Sequence, residues 1–139
     1  MLKLLLMISL ILSSNISNAN SLSCLVSNMY HEARGESELG KVLVARVTLN
    51  RVKMSQYPES ICGVVYQRSQ FSWTVMDNTG VPSNEHKELE KLAQKVLADK
   101  YLIPKELNKA THFYNPNKVE KPKWAYKMKV AGQVGNHIF

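Results

Sequence analysis

Long apolar runs are scarce in this chain of 139 residues. The one that stands out, Leu4 to Leu12, covers about nine residues, far short of the ~20 needed to cross a bilayer. It follows Met1-Leu2-Lys3 and precedes Ser13-Ser14-Asn15 and a small-residue end at Ser17-Asn18-Ala19. One positive charge, a short apolar core and a small-residue exit make an export signal, with the cut expected between Ala19 and Asn20. An uncleaved N-terminal anchor is the alternative. Residues 1–19 are therefore read as the signal and residues 20–139 as one domain with one modest core. Internal repeats, low-complexity tracts and a second long apolar segment are all missing, so no second domain is expected. The expected product is an exported monomer, in periplasm, cell wall or outside the cell, with no stable membrane anchor once the signal is removed.

A compact arginine-rich block is missing too. The formal net charge is +7, and the export segment holds only Lys3 of its basic residues. The lysines are scattered from Lys87 to Lys129 instead of clustered. Such a balance suits a polyanionic surface, and nucleic acid is the usual first guess. In an exported protein, anionic wall polymer is the accessible partner, so no nucleic acid is expected. A merely solvated basic face is the plain alternative. There are only two cysteines, Cys24 and Cys62. A lone pair in an oxidising compartment is expected to join. Closing that loop contributes on the order of 4 kcal/mol in the chain-entropy model.

Helical periodicity is present from the start of the expected domain. Leu22, Leu25, Val26, Met29, Tyr30 and Ala33 follow the i, i+3, i+4, i+7 steps of an amphipathic helix, with Ser21 as its expected N-cap. Gly35 stands where such a helix stops in a left-handed residue. Ser37-Glu38 opens a second helix, through Leu49 and Asn50-Arg51. It is apolar nearly all round, so it is expected at the centre. Ser60 to Tyr66 reads as a short helix, and Ser83 or Asn84 caps a third long one with Leu89, Leu92, Ala93, Val96 and Leu97 inward. Gln70 to Thr74 alternates aromatic and polar residues, and Ala110 to Asn117 is a β-prone run ending in a turn. Helices first and short strands later predict an α+β fold.

Several chemistries are excluded by missing partners. His31-Glu32 opens like the His-Glu-x-x-His helix of zinc proteases, but the i+4 position is Gly35. His86, His112 and His137 are scattered, and no Pro-Cys-x-x-Cys occurs. There is no Gly-x-Ser-x-Gly elbow and no glycine-rich phosphate loop. Neither metal nor cofactor is expected. Carboxylate chemistry remains, centred on Glu32-Ala33-Arg34-Gly35-Glu36. A carboxyl in the last turn of a helix lies at the negative end of the macrodipole, and apolar flanks push its pKa upward as well. An acid protonated near neutral pH is what glycosidic oxygen protonation requires. Arg34 would oppose this if it turned inward. The plain alternative makes Glu32 and Glu36 ordinary surface residues at a helix end.

Glu32-Ala33-Arg34-Gly35-Glu36, then Gly40-Lys41-x-x-Val44-Ala45-x-Val47-x-Leu49-Asn50-Arg51-Val52, resembles the cell-wall hydrolase family of spore cortex-lytic enzymes (SleB-like). The likeness continues through Ile61-Cys62-Gly63-Val64-Val65-Tyr66-Gln67, Gln70-Phe71-Ser72-Trp73, Thr111-His112-Phe113-Tyr114-Asn115, Pro122-x-Trp124-Ala125 and Gly135-Asn136-His137-x-Phe139. It runs in order over nearly all of residues 20–139. The resemblance implies a single lysozyme-like α+β domain, similar to lytic transglycosylases. It implies cleavage of the MurNAc–GlcNAc β-1,4 bond of peptidoglycan glycan strands. One glutamate would act as acid and then base, while the muramic 6-hydroxyl displaces the leaving sugar to give a 1,6-anhydro end. By the family's pattern that residue is Glu32, and Glu36 is a supporting or alternative catalytic residue. Two carboxylates on one short segment do not flank a sugar from opposite faces, as the ~5 Å and ~6.5–9.5 Å pairs of other glycosidases do.

Phe71, Trp73, Tyr114 and Trp124 are candidate sugar platforms, because aromatic faces offer apolar area beside polar hydroxyls. Core packing is the alternative, and it is favoured for Phe71 and for Phe113. Asn50, His112, Asn115 and His137 complete the candidate substrate-binding set, the two histidines as substrate partners or as buttresses. A hydrolytic muramidase and a non-catalytic peptidoglycan-binding module are the rival readings.

Overall fold

Residues 2–33 contain neither glycine nor proline, so nothing in them stops a helix once it has formed. In a computed structural model, which describes residues 18–67 and 80–139 in full and residues 2–17 as backbone, α1 runs unbroken over Leu2–Ala33. Ser21, expected as an N-cap, lies inside it, as do Ala19 and Asn20, because no breaker precedes them. Expectations that fall on residues 68–79, among them the platforms Phe71 and Trp73, lie outside the described residues. Among the described residues no helix is long and apolar enough to cross a membrane.

α1 ends at Ala33, and Gly35 turns the chain with φ +83°, a value that side chains with a Cβ rarely adopt. The Glu36 N–H closes the turn on the Ala33 carbonyl at 3.0 Å. Ser37 then caps α2 (Glu38–Val52), its hydroxyl accepting from the Gly40 N–H at 3.2 Å. As the all-round apolar pattern predicts, α2 is the central helix. Val42, Leu43, Val44, Ala45 and Val47 are fully buried. One side of it packs with Leu25, Val26, Met29 and Tyr30 of α1 and with Leu89, Leu92, Ala93 and Val96 further along the chain. Its other side, Leu43 and Val47, meets Leu107 and Phe139 from the C-terminal third. Two polar side chains meet inside this core, Asn28 Nδ2 donating to Thr48 Oγ1 at 3.3 Å while that hydroxyl donates to the Val44 carbonyl at 3.4 Å.

The short α3 (Ile61–Val65) carries Cys62, which is bonded to Cys24 of α1, as the cysteine count predicts. α4 (Ser83–Leu97) supplies the third wall of the core. Its cap position is Pro82, one residue before the expected Ser83 or Asn84, and Leu97, expected inward, is exposed. Leu97 is the last helical residue and lies beyond the neighbours that cover Val96. Asp99, with φ +56°, reverses the chain there, and its carboxylate accepts from Arg46 Nη2 of α2 at 3.1 Å.

The β region is small. β1 (Gln133–Val134) and β2 (His137–Ile138) pair antiparallel, Gln133 opposite Ile138 and Val134 opposite His137. The expected strand over Ala110–Asn117 contributes one isolated bridge, Tyr114 to Ile138. A single 3₁₀ turn over Lys123–Tyr126 links the two parts.

Replacing Cys24 and Cys62 by serine frees a loop of 38 residues and is expected to cost about 4 kcal/mol, or roughly 15 °C in Tm. Thermal unfolding of the oxidised parent and the double variant measures this; equal midpoints would show that the bond contributes nothing.

Candidate active site

Glu32 stands in the last turn of α1, one residue before the helix stops. Its carboxyl is half-buried, and burial pushes its pKa from 4.5 up to about 7, against a smaller opposing pull from the Lys118 ammonium. Arg34 does not oppose it. Its guanidinium lies along Tyr30, Nη1 donating to the hydroxyl at 3.0 Å. A carboxyl raised this far keeps its proton closer to neutrality than an ordinary glutamate does, as a general acid requires.

Glu36 sits four residues away in an opposite situation. Its Oε1 accepts from Asn136 Nδ2 at 2.9 Å, and its Oε2 from the Asn136 backbone N–H at 3.3 Å. His137 Nδ1 lies 3.7 Å from Oε1, and both side chains are over nine-tenths buried. Burial pushes the His137 pKa down, and Lys118 adds to this while Glu36 opposes it. The ring is thus neutral at neutral pH and packs edge-on against Phe113 at 5.3 Å. Gly135 makes the clamp possible. It takes φ +56° in the two-residue turn between β1 and β2, the first-position glycine of a II′-type hairpin. A Cβ there would collide with Glu36 Oε2.

The end of α2 positions the segment facing this clamp. Asn50 Nδ2 donates to the carbonyls of Asn108 at 2.9 Å and Ala110 at 2.8 Å. Arg51 Nε donates to the Thr111 carbonyl at 2.7 Å, with its guanidinium over the Tyr57 ring at 5.1 Å. Asn50, expected on substrate, thus spends both amide hydrogens on the backbone of the 108–110 loop. The next turn is held by Asn115, also expected on substrate, whose Oδ1 accepts from the Asn117 N–H at 2.9 Å. Asn117 Nδ2 donates in turn to Asn136 Oδ1 at 3.2 Å. A continuous relay therefore joins Asn115, Asn117, Asn136 and Glu36, and places Lys118 at its end.

The expected platforms that are described come together. Trp124 packs against His112 at a tilt of 46° with centroids 4.7 Å apart and meets Tyr114 edge-on at 5.8 Å. These three line a cavity of about 170 Å³ whose back wall is Ile138 and Phe139. His112 Nδ1 shares a hydrogen bond with Thr111 Oγ1 at 2.9 Å, and burial with the nearby Arg51 charge pushes its pKa down. Neither Glu32 nor Glu36 lines this cavity. Phe113 instead packs into the second core cluster, as favoured from the sequence. Among the described residues no three histidine, cysteine or carboxylate side chains gather as metal ligands.

Sequence reasoning passed over Arg51, Lys118, Gly135 and Asn136. Arg51 is 5% exposed, where a helix-ending arginine is ordinarily solvated. A buried position after an all-round apolar helix was the available signal for it. Lys118 carries no such signal, and although Gly135 and Asn136 stand in the Gly135-Asn136-His137-x-Phe139 motif, only the fold brings them to Glu36.

The chain matches the family model for cell wall hydrolases over residues 35–139. It is 28% identical over 120 residues to the spore cortex-lytic enzyme of Bacillus cereus, covering 86% of this chain and 44% of that protein. The Bacillus subtilis spore cortex-lytic enzyme is also 28% identical over 120 residues, of which the chain spans 37%. The chain thus covers less than half the length of these relatives. Its fold superposes on the catalytic domain of the Bacillus cereus SleB protein with a TM-score of 0.71, at 25% identity over 87% of this chain and 89% of that one. For the catalytic domain of the germination-specific lytic transglycosylase SleB from Bacillus anthracis the TM-score is 0.70, at 26% identity over 86% and 93%. The α+β, mainly helical, lysozyme-like architecture expected from the sequence is therefore the one observed.

The two left-handed glycines separate backbone strain from the Glu36 clamp. Gly35→Ala meets no atom within 4 Å, so it is expected to cost only the left-handed penalty, about 1 kcal/mol. Gly135→Ala also displaces Glu36 and is expected to cost at least about 2 kcal/mol. Urea unfolding of both variants reads the difference; equal losses would mean that the Glu36 contact adds no stability.

Proposed function

The chain belongs to the cell wall hydrolase family, and from that membership we propose that it is an exported enzyme cleaving the MurNAc–GlcNAc β-1,4 bond of peptidoglycan. Glu32 is the general acid and then the base. The observation that carries this reading is the contrast between the two glutamates: Glu32 has a pKa raised to about 7, while Glu36 is held by Asn136.

In the first half of the reaction the protonated Glu32 delivers its proton to the glycosidic oxygen as that bond breaks and positive charge develops at the muramic C1. In the second half the carboxylate accepts the proton of the muramic 6-hydroxyl as that oxygen closes on C1. The product is a 1,6-anhydro end and Glu32 is protonated again. A single carboxyl suffices because the nucleophile belongs to the substrate. Lys118 keeps the pKa of Glu32 from rising further, which favours its return to carboxylate between the halves. Glu36 acts as a positioning residue, holding the Gly135-Asn136 turn against the segment that follows α1. His112, Tyr114 and Trp124 belong to the substrate surface. The named relatives support the reading, since their names describe cortex lysis and lytic transglycosylation.

Glu32→Gln is expected to lower the release of soluble muropeptides from purified sacculi by about 10²–10⁴-fold with the circular dichroism spectrum unchanged. Mass spectrometry of the wild-type products should find anhydro-muramic ends. Reducing muramic ends in their place would make the enzyme a hydrolytic muramidase, and a fully active Glu32→Gln variant would remove Glu32 from the chemistry.

The pH dependence has a definite sign. The folded-state pKa of Glu32 lies above its unfolded value of 4.5. The favourable contribution of its buried proton is therefore complete below pH 4.5 and lost as the pH rises through about 7. Glu32→Gln should accordingly be more stable than the parent at pH 8, by about 1–3 kcal/mol after allowance for partial exposure, and no more stable at pH 4. Cleavage by the parent should fall as the pH rises above about 7. Urea midpoints and initial rates across pH 4–9 test both; a rate that climbs through pH 8 contradicts the acid role.

A further inference from the structure

Tyr114 and Ile138 line the cavity with Trp124 on the face of the C-terminal hairpin opposite His137, while Phe139 borders both the cavity and the core. Strand alternation produces this arrangement. His137 and Phe113 point to the buried side, where His137 meets Glu36. Their neighbours Ile138 and Tyr114, joined by the backbone bridge, point into the cavity. One narrow ribbon therefore carries the glutamate clamp on one side and an apolar cavity on the other.

The cavity has a particular chemistry. Its volume of about 170 Å³ is smaller than the ~300 Å³ at which pockets begin to bury drug-sized ligands, so it takes one or two small side chains and not a disaccharide. Its walls are aromatic and aliphatic, and its charged lining is Lys109, Lys121 and Lys129 with the single carboxylate Glu106. Thr111 and His112, its short neutral polar groups, are bonded to each other. A pyranose ring needs neutral donors and acceptors around its edge. A short peptide that alternates methyl groups with carboxylates and carries one amine meets the methyl-sized apolar space, the three ammoniums and the one carboxylate in turn.

We propose that this cavity is a subsite for the stem peptide of peptidoglycan, its apolar wall receiving the small side chains and Lys109, Lys121 and Lys129 pairing with the stem carboxylates. The inference rests on the cleavage reading for its biological setting and deepens it. The substrate is then a peptide-substituted glycan strand, and the stem is gripped beside the hairpin whose other side holds Glu36. The lysines are exposed, so each contributes little singly and more together around a partly desolvated ligand.

Two measurements on the full chain test this. The first compares KM for glycan strands with intact stems and for the same strands stripped of peptide by an amidase. The parent is expected to show at least a five-fold lower KM on the intact strands. Lys109→Gln/Lys121→Gln/Lys129→Gln is expected to lose that advantage, with KM on stripped strands and kcat on both unchanged. The second titrates a soluble stem tetrapeptide into Glu32→Gln and follows the indole N–H resonance of Trp124, assigned from its absence in Trp124→Phe. The resonance should shift, and the triple lysine variant should abolish the shift. Equal KM values for the two strands together with an unmoved resonance would overturn the proposal. A shift with poly(glycerol phosphate) but none with the tetrapeptide would overturn it in favour of an anionic wall polymer. A tetrapeptide shift in a protein that cleaves neither strand upholds the stem subsite and strikes the cleavage reading alone.

Discussion

A helix that is apolar on every side has to be walled on every side, and α2 imposes that demand on the whole chain. Local sequence supplies two of its walls, α1 and α4, as amphipathic helices with matching stripes. The remaining wall must come from a segment with too little regular structure to form alone. Leu107, Phe113 and Phe139 provide it only because Leu43 and Val47 present an apolar surface to settle on. The polar end of the same helix completes the arrangement. Asn50 and Arg51 take up the carbonyls of residues 108, 110 and 111, which would otherwise be left short of donors in a nearly strandless region. The central helix thus builds the core with its apolar surface and the candidate site with its last turn.

Two glutamates four residues apart in sequence acquire opposite characters from their surroundings. The helix ends between them, and Gly35 turns the chain so that they no longer share a face. Glu36 enters a site where the Asn136 side-chain amide and backbone N–H both donate to it, and they compensate its loss of water. Glu32 loses water with less compensation, which is what raises its pKa. A carboxylate anchored by donors stabilises structure, whereas one desolvated without them is pushed toward its protonated form. The same residue type therefore serves scaffold and chemistry within one turn.

The positive charge, scattered without a compact block, is sorted by the fold. Arg51 is drawn inside to hold a loop, and Arg46 reaches the turn after α4. Lys118 acts on both Glu32 and His137, while Lys109, Lys121 and Lys129 edge the aromatic cavity. The scatter that argued against a nucleic-acid surface is thus compatible with distinct local tasks, since residues far apart in sequence meet in the fold.

What the sequence by itself determined is local or compositional. The i, i+3, i+4 stripes specify α1 and α4, the all-round apolar run specifies a central α2, and Ser37 specifies where α2 begins. Two cysteines specify one bond. Each follows from periodicity, capping or counting, which need no knowledge of distant neighbours, and the ordered motifs placed the chain in its family. The misses come where those signals compete or are weak. Ser21 does not cap α1 because the preceding residues continue the helix, Leu97 is exposed at a helix end, and the β-prone run at Ala110–Asn117 keeps one bridge because it has one short partner. Only the tertiary structure decided which groups meet. Asn136 reaches Glu36 across 100 positions of sequence, Asn50 turns to the 108–110 backbone, and the Tyr114 face is separated from the His137 face. Burial and hydrogen-bond pairing are properties of the assembled surroundings, and a residue's own identity does not reveal who those neighbours will be.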